Sequence, residues 1–134
     1  MPIQFTIGEG GTLIVAHGVG VLTDNDLLDY DRGLVENPDI QPTRRELIDF
    51  REVEDSQVTT EGLQTLAAYE RTHAWRDQDV QVALVLSEEL YVGMVEIYKG
   101  FIASRRLPIE FRVFLNMAEA RDWLGLEPEA ESRD

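Results

Sequence analysis

The stretch "VQVALVLS", residues 80–87, carries five apolar side chains without a break from Val82 to Leu86. Neighbouring side chains of a strand point to opposite faces, so a run with no polar alternation means that both faces are covered. A strand in the middle of a parallel sheet meets that condition, because helical crossovers pack on its two sides. The chain is therefore read as α/β, and the remaining segments must supply the crossovers.

They do so in order. "IQFTI" and "TLIVAH" flank the glycine-rich "GEGG", a hairpin signal that pairs the first two strands antiparallel. After "GVGVL", Thr23 caps a helix in which Leu27, Leu28, Leu34 and Val35 recur at helical spacing. "RELIDF" is the third strand, and "VTTEGLQTLAAYERTHAW" is a second helix with Leu63, Leu66, Ala67 and Ala74 on one side. Ser87 caps the long third helix, "SEELYVGMVEIYKGFIASR", and "EFRVFL" follows as the fifth strand. "NMAEARDWLGL" closes the order, with Asn116 and Glu119 at capping-box spacing and Ala120, Trp123 and Leu124 facing inward. The expectation is a mostly parallel five-stranded sheet with an N-terminal antiparallel hairpin and about four helices, joined by right-handed crossovers.

A chain of 134 residues is about one domain and hides roughly two-thirds of its unfolded surface on folding, enough for a core without staples. Residues 1–125 are read as that domain. Residues 126–134, which include "EPEAESRD", form an acidic tail expected to be disordered. The start "MPIQFTIGEG" has no basic run before an apolar core, and the longest apolar stretches fall far short of the ~20 residues that span a bilayer. The reading is a cytoplasmic protein without membrane insertion.

Twenty-six acids against 12 bases give a net charge of −14. Nucleic acid and anionic membrane need local positive charge, and the only basic doublets are Arg44-Arg45 and Arg105-Arg106, so neither is expected as a partner. The absence of cysteine removes CxxC redox chemistry, thiolate zinc sites and a cysteine nucleophile. "GVGVLT" has two glycines of a dinucleotide fingerprint, and Asp49 stands where a ribose contact would be expected. Asp24 and Asp26, however, put negative charge on the helix end that a pyrophosphate would need, and the glycines are read as turn residues. His17 and His73 lack a ligand-spaced companion, and no G-x-S-x-G elbow exists. No catalytic set, metal or cofactor is expected.

Several strings resemble one family. "HGVGVLTDNDLL", "ELIDFREVED", "VTTEGLQTL", "VALVLSEELYVGMVEIY" and "FRVFLNMAEARDWLG" are similar, in that order, to the SpoIIAA-like branch of the STAS superfamily, small bacterial proteins also described as STAS/SEC14-like. The resemblance implies a (βα) superhelical domain without chemistry of its own. Such a domain binds a partner protein or, in the SEC14-like description, a small apolar ligand. In anti-sigma antagonists the second helix opens D-S-S-G-L, and the serine before the glycine accepts a phosphoryl group. Laid on that pattern, Gly62 matches the glycine, Glu61 the phosphoacceptor, Thr60 the preceding serine and Thr59 the aspartate. The usual phosphoacceptor serine is missing.

Two candidate surfaces follow. Ser56, Thr59, Thr60 and Glu61 form a regulatory or partner loop, in which Thr59 also serves as N-cap and Val58 and Leu63 as a hydrophobic staple. Tyr91, Met94, Tyr98 and Phe101 form one stripe of the third helix beside Gly93 and Gly100, read as core or as an apolar-ligand or homodimer face. The function expected is a non-catalytic interaction or regulatory module that binds another protein, with a small apolar-ligand carrier as the alternative.

Overall fold

The computed structural model describes residues 3–73, 78–92 and 109–127. β1 (Ile3–Gly8), β2 (Leu13–Leu22), β3 (Thr43–Ser56), β4 (Asp79–Val85) and β5 (Ile109–Phe114) lie side by side in chain order in one sheet. β1 and β2 pair antiparallel, and every later pair is parallel. The helices are α1 (Asp24–Glu36), α2 (Thr60–Thr72), α3, of which residues 88–92 are described, and α4 (Met117–Leu124). The sheet is thus the mixed, mostly parallel one that the sequence predicts.

Each parallel strand is added beside the last in the same direction. Right-handed crossovers that keep stepping the same way place their helices on the same face. α1 and α2 accordingly touch each other and share one face, over Ile14, Ala16, Ile48, Phe50, Val82 and Leu84. α4 follows the last strand and covers the opposite face, over Leu47, Ala83 and Val85. Adjacent residues of β3 and β4 therefore belong to different cores, and every residue from Val82 to Leu86 is buried.

Local capping fixes where the helices begin. Thr23 and Asp26 form a reciprocal capping box at α1. At α4 the Asn116 side chain accepts from the Glu119 N–H, and Gly125 ends the helix at φ 75°. The Arg45 guanidinium donates to the Leu124 carbonyl at 2.7 Å and to Glu9 Oε1 at 2.6 Å. That cation complements the open carbonyls of the α4 C-terminus. The first basic doublet thus has structural work for Arg45, and Arg44 is buried; the second, Arg105-Arg106, lies outside the described residues.

Two expectations need correction. "GVGVL" is not a turn: it is the end of β2, where a Cβ on Gly18 would come within 2.7 Å of the Phe50 ring and where Gly20 takes φ 72°. The third strand is also longer than "RELIDF", since β3 continues through "REVEDS" to Ser56. Its register against β2 shifts twice, between His17 and Val19 and between Gly20 and Val21. Such bulges bend and twist a strand, and they carry the end of β3 to the beginning of α1.

α4 leaves part of its face open. Val15, Val19 and Val21 of β2 are 38%, 42% and 43% exposed, whereas Leu47 is 1% exposed. Leu47→Ala is expected to lower unfolding free energy by about 2–5 kcal/mol, and Val15→Thr by no more than about 0.5 kcal/mol, as read from urea denaturation midpoints.

Candidate functional site

The beginning of α2 is built as a latch. Thr59 has extended backbone angles and caps the helix, its hydroxyl accepting from the Gly62 N–H at 2.9 Å. The same hydroxyl donates to Asp24 Oδ2 at 2.7 Å, and the Thr59 N–H donates to Asp24 Oδ1 at 2.8 Å. Asp24 is the first residue of α1, so one carboxylate joins the N-termini of both helices and gains from both dipoles. Gly62 has to be glycine here, because a Cβ would collide with that carboxylate. Val58 and Leu63 both pack toward the core.

The predicted loop residues divide accordingly. Thr59 is absorbed in the latch. Ser56 is half-buried at the end of β3 and accepts from the Val58 N–H at 3.3 Å. Thr60 and Glu61 are exposed on the first turn of α2. Of the second surface, Tyr91 is 36% exposed; Met94, Tyr98 and Phe101, with Gly93 and Gly100, lie outside the described residues.

The most unusual chemistry lies between α1, α2 and the sheet. Arg44 and Glu46 of β3 are 7% and 4% exposed. Arg44 Nε donates to Glu46 Oε2 at 2.8 Å, and the Tyr30 hydroxyl of α1 donates to Glu46 Oε1 at 3.2 Å. Burial raises the Glu46 carboxyl above its ordinary range even though Arg44 pulls the other way. Burial and then the charges of Glu46 and Asp31 push the Tyr30 phenol well up.

Asp31, one residue along α1, is the exceptional member. Its Oδ2 is enclosed and receives no hydrogen bond. The Glu70 carboxyl of α2 stands within hydrogen-bonding reach, a contact that becomes a bond only when one of the two acids carries a proton. Burial first, then the Glu70 charge, holds the Asp31 carboxyl well above its ordinary range. Above the ordinary carboxylate range this arrangement can keep and exchange a proton.

These acids form the common wall of two spaces. One is an apolar cavity of about 80 Å³, lined chiefly by Leu27, Ile48, Phe50, Leu63, Leu66 and Leu84 with Asp31, Glu46 and Glu70 at one end. The other is a crevice of about 30 Å³ with a mixed lining, where His73 and Arg44 join the same three acids beside Leu34, Val35, Val82 and Ile109. His73 ends α2, its Nδ1 2.9 Å from the Tyr69 carbonyl, so that Nδ1 carries the proton. His73 has no ligand-spaced companion in the sequence; the fold brings Asp31 of α1 and Glu46 of β3 to the same crevice, beside Glu70 of its own helix. Among the described residues no three His, Asp or Glu side chains are placed to hold a metal ion.

His17 and Asp49 sit elsewhere, on the face that α4 covers only in part. His17 Nε2 is 3.3 Å from Glu52 Oε1. Asp49 binds Arg51 through Nε at 3.0 Å and Nη2 at 2.9 Å. Partial burial works against the Asp49 charge, yet the hydrogen bonds and charge of Arg51 hold its carboxyl below the usual range.

The acid cluster escaped the sequence reading, although a signal existed. On α1 the inward stripe is Leu27, Tyr30, Asp31 and Leu34; on α2 it is Leu63, Leu66, Ala67 and Glu70; on β3 the alternation is Glu46, Ile48, Phe50. Three successive elements each carry a carboxylate on the apolar side. One is an irregularity, but three facing the same layer mark a site.

Because Asp31 binds its proton more tightly in the folded chain than in the unfolded one, folding gains from it below the ordinary carboxylate pKa. That gain is lost as pH rises through the raised folded value. Asp31→Asn keeps the shape and offers an amide N–H to Glu70. It is expected to stabilise the protein at pH 7 by about 1 kcal/mol or more, a gain that shrinks toward about pH 4, as thermal denaturation across that range would read. At the latch, Asp24→Ala and Thr59→Ala are each expected to cost about 1–2 kcal/mol. The double variant should cost less than the sum, since both remove the same bonds.

Similarity to known proteins is confined to structure. No family model and no curated protein matches the chain. Among solved structures, an uncharacterised protein of the DUF3478 family with a SpoIIAA-like fold, from Shewanella loihica PV-4, aligns over 91% of this chain and 93% of its own. The TM-score is 0.54 at 21% identity, a likeness of fold. The chain is an α/β domain with the SpoIIAA-like fold, as its motif order predicts.

Proposed function

We propose that this STAS-like domain is a non-catalytic binding module whose ligand is a small molecule held between α1, α2 and the sheet. The apolar cavity of about 80 Å³ carries the reading. Its lining is mainly apolar, so an apolar guest that fits gains by leaving water, at about 25 cal/mol per Å² of apolar surface buried. A cavity of that volume holds only a few small groups. The ligand, or the part of it that enters, is therefore small.

A regulatory module that binds another protein is the second reading. It rests on Thr60 and Glu61, exposed together at the start of α2, where the family pattern has its serines. A carboxylate at Glu61 gives this helix end a permanent negative charge, so docking there would not depend on phosphorylation of residue 61. Against a phosphoryl switch stands the latch, since the Asp24 carboxylate already uses the capping position of α2.

Xenon separates the two. Under xenon pressure the methyl resonances of Leu27, Leu63 and Leu66 are expected to shift in the native protein, and to stay still in Leu66→Trp, whose larger side chain fills the cavity. If the native methyl groups do not respond, the small-ligand reading fails and the α2 surface becomes the better candidate.

A further inference from the structure

Parallel strands are ordinarily covered on both faces, and the β2–β3 pair is not. Val15 of β2 pairs with Leu47 of β3, on the side of the sheet that α4 packs against. Leu47 is buried there, whereas Val15, Val19 and Val21 stand exposed in one column. The register sets what flanks that column, because residues opposite each other on neighbouring strands share a face. On one side β1 adds Gln4 and Thr6, the partners of His17 and Val15. On the other, β3 adds Asp49, Glu52 and Asp55, the partners of His17, Val19 and Val21. Arg51 binds Asp49, while Glu52 and Asp55 are exposed. The valines thus have a neutral border and an acidic one.

Size and charge together select the occupant. From β1 to β3 is two strand spacings, about 10 Å, the diameter of one α-helix. Val15 to Val21 runs about 20 Å, the length of about 13 helical residues. Among the described residues the other helices lie elsewhere: α1 and α2 pack on the opposite face, and Leu90 at the start of α3 joins their core. The closing residues "PEAESRD" are acidic and have no large apolar side chain. A second copy, with a net charge of −14, would bring acids to an acidic border.

We propose that this face docks an amphipathic helix of another protein, its apolar side chains on Val15, Val19 and Val21 and its lysine or arginine side chains along the β3 border. The incoming helix becomes the neighbour of α4 and completes the helical layer on that side. Opposite charge speeds its approach, and burial of the valines holds it. This contact lies on the opposite side of the sheet from the cavity under α1 and α2 and is independent of what fills that cavity.

A synthetic leucine–lysine peptide of about 18 residues, above the length at which isolated helices are marginal, tests this against a leucine–glutamate counterpart of the same pattern. In NMR titrations of the full chain, the lysine peptide is expected to move the Val15, Val19 and Val21 methyl resonances and to leave those of Leu27, Leu63 and Leu66 still. The glutamate peptide should move neither set. Glu52→Gln combined with Asp55→Asn should weaken the lysine peptide about fivefold to tenfold, as two exposed ion pairs are lost, and flatten its salt dependence. Val19→Lys should weaken it about tenfold, by removing an apolar contact and adding a like charge. No binding, shifts scattered over the acidic surface, equal binding of the two peptides, or unchanged affinity in both variants overturns the inference. So does concentration-dependent movement of the same methyl groups in the protein alone, which would assign the face to a second copy.

Discussion

Three successive parallel pairings that step the same way across one sheet force the crossover helices onto one face. α1 and α2 must therefore lie side by side, and the seam between them is where the molecule keeps its irregular features. At the N-terminal end of the seam the Asp24 carboxylate ties the two helices together through Thr59. Further along, Asp31 and Glu70 meet across it. The latch lies at one end of the seam and the acid pair further along it, and an apolar space lies between the two helices and the sheet.

The buried polar groups obey a simple order. Glu46 has a cation and a phenol as donors and is satisfied. Asp31 has an acid as its neighbour and depends on a proton. Breaking a buried ion pair by removing one partner commonly costs 3–5 kcal/mol, so the Arg44–Glu46 pair resists change. Asp31 is where the layer can respond to pH.

Similar reasoning separates the two ends of α2. Its start has the residue types of a regulatory loop, but the hydroxyl of Thr59 has both its donor and an acceptor position in use. The exposed neighbours Thr60 and Glu61 are the part of that loop still open to a partner. Its last turn carries Glu70 and then His73 into the acid layer. The resemblance to anti-sigma antagonists directs attention to the first end, and the side-chain geometry directs it to the second.

Much of the architecture could be read from the residues. The unbroken Val82–Leu86 run, the caps Thr23, Thr59 and Asn116, and the alternation of strands and helices each follow from nearest-neighbour physics, which acts within a few residues and is written in linear spacing. The ends of β2 and β3 were misjudged because glycines that signal a turn also fit a strand where a Phe50 ring needs the room of Gly18. The sequence by itself determined the element order, the helix starts and a mixed sheet of SpoIIAA-like type. Tertiary structure alone decided that Asp31, Glu46 and Glu70 meet in one layer beside a cavity, because their meeting depends on helix packing and strand register, which no local spacing encodes.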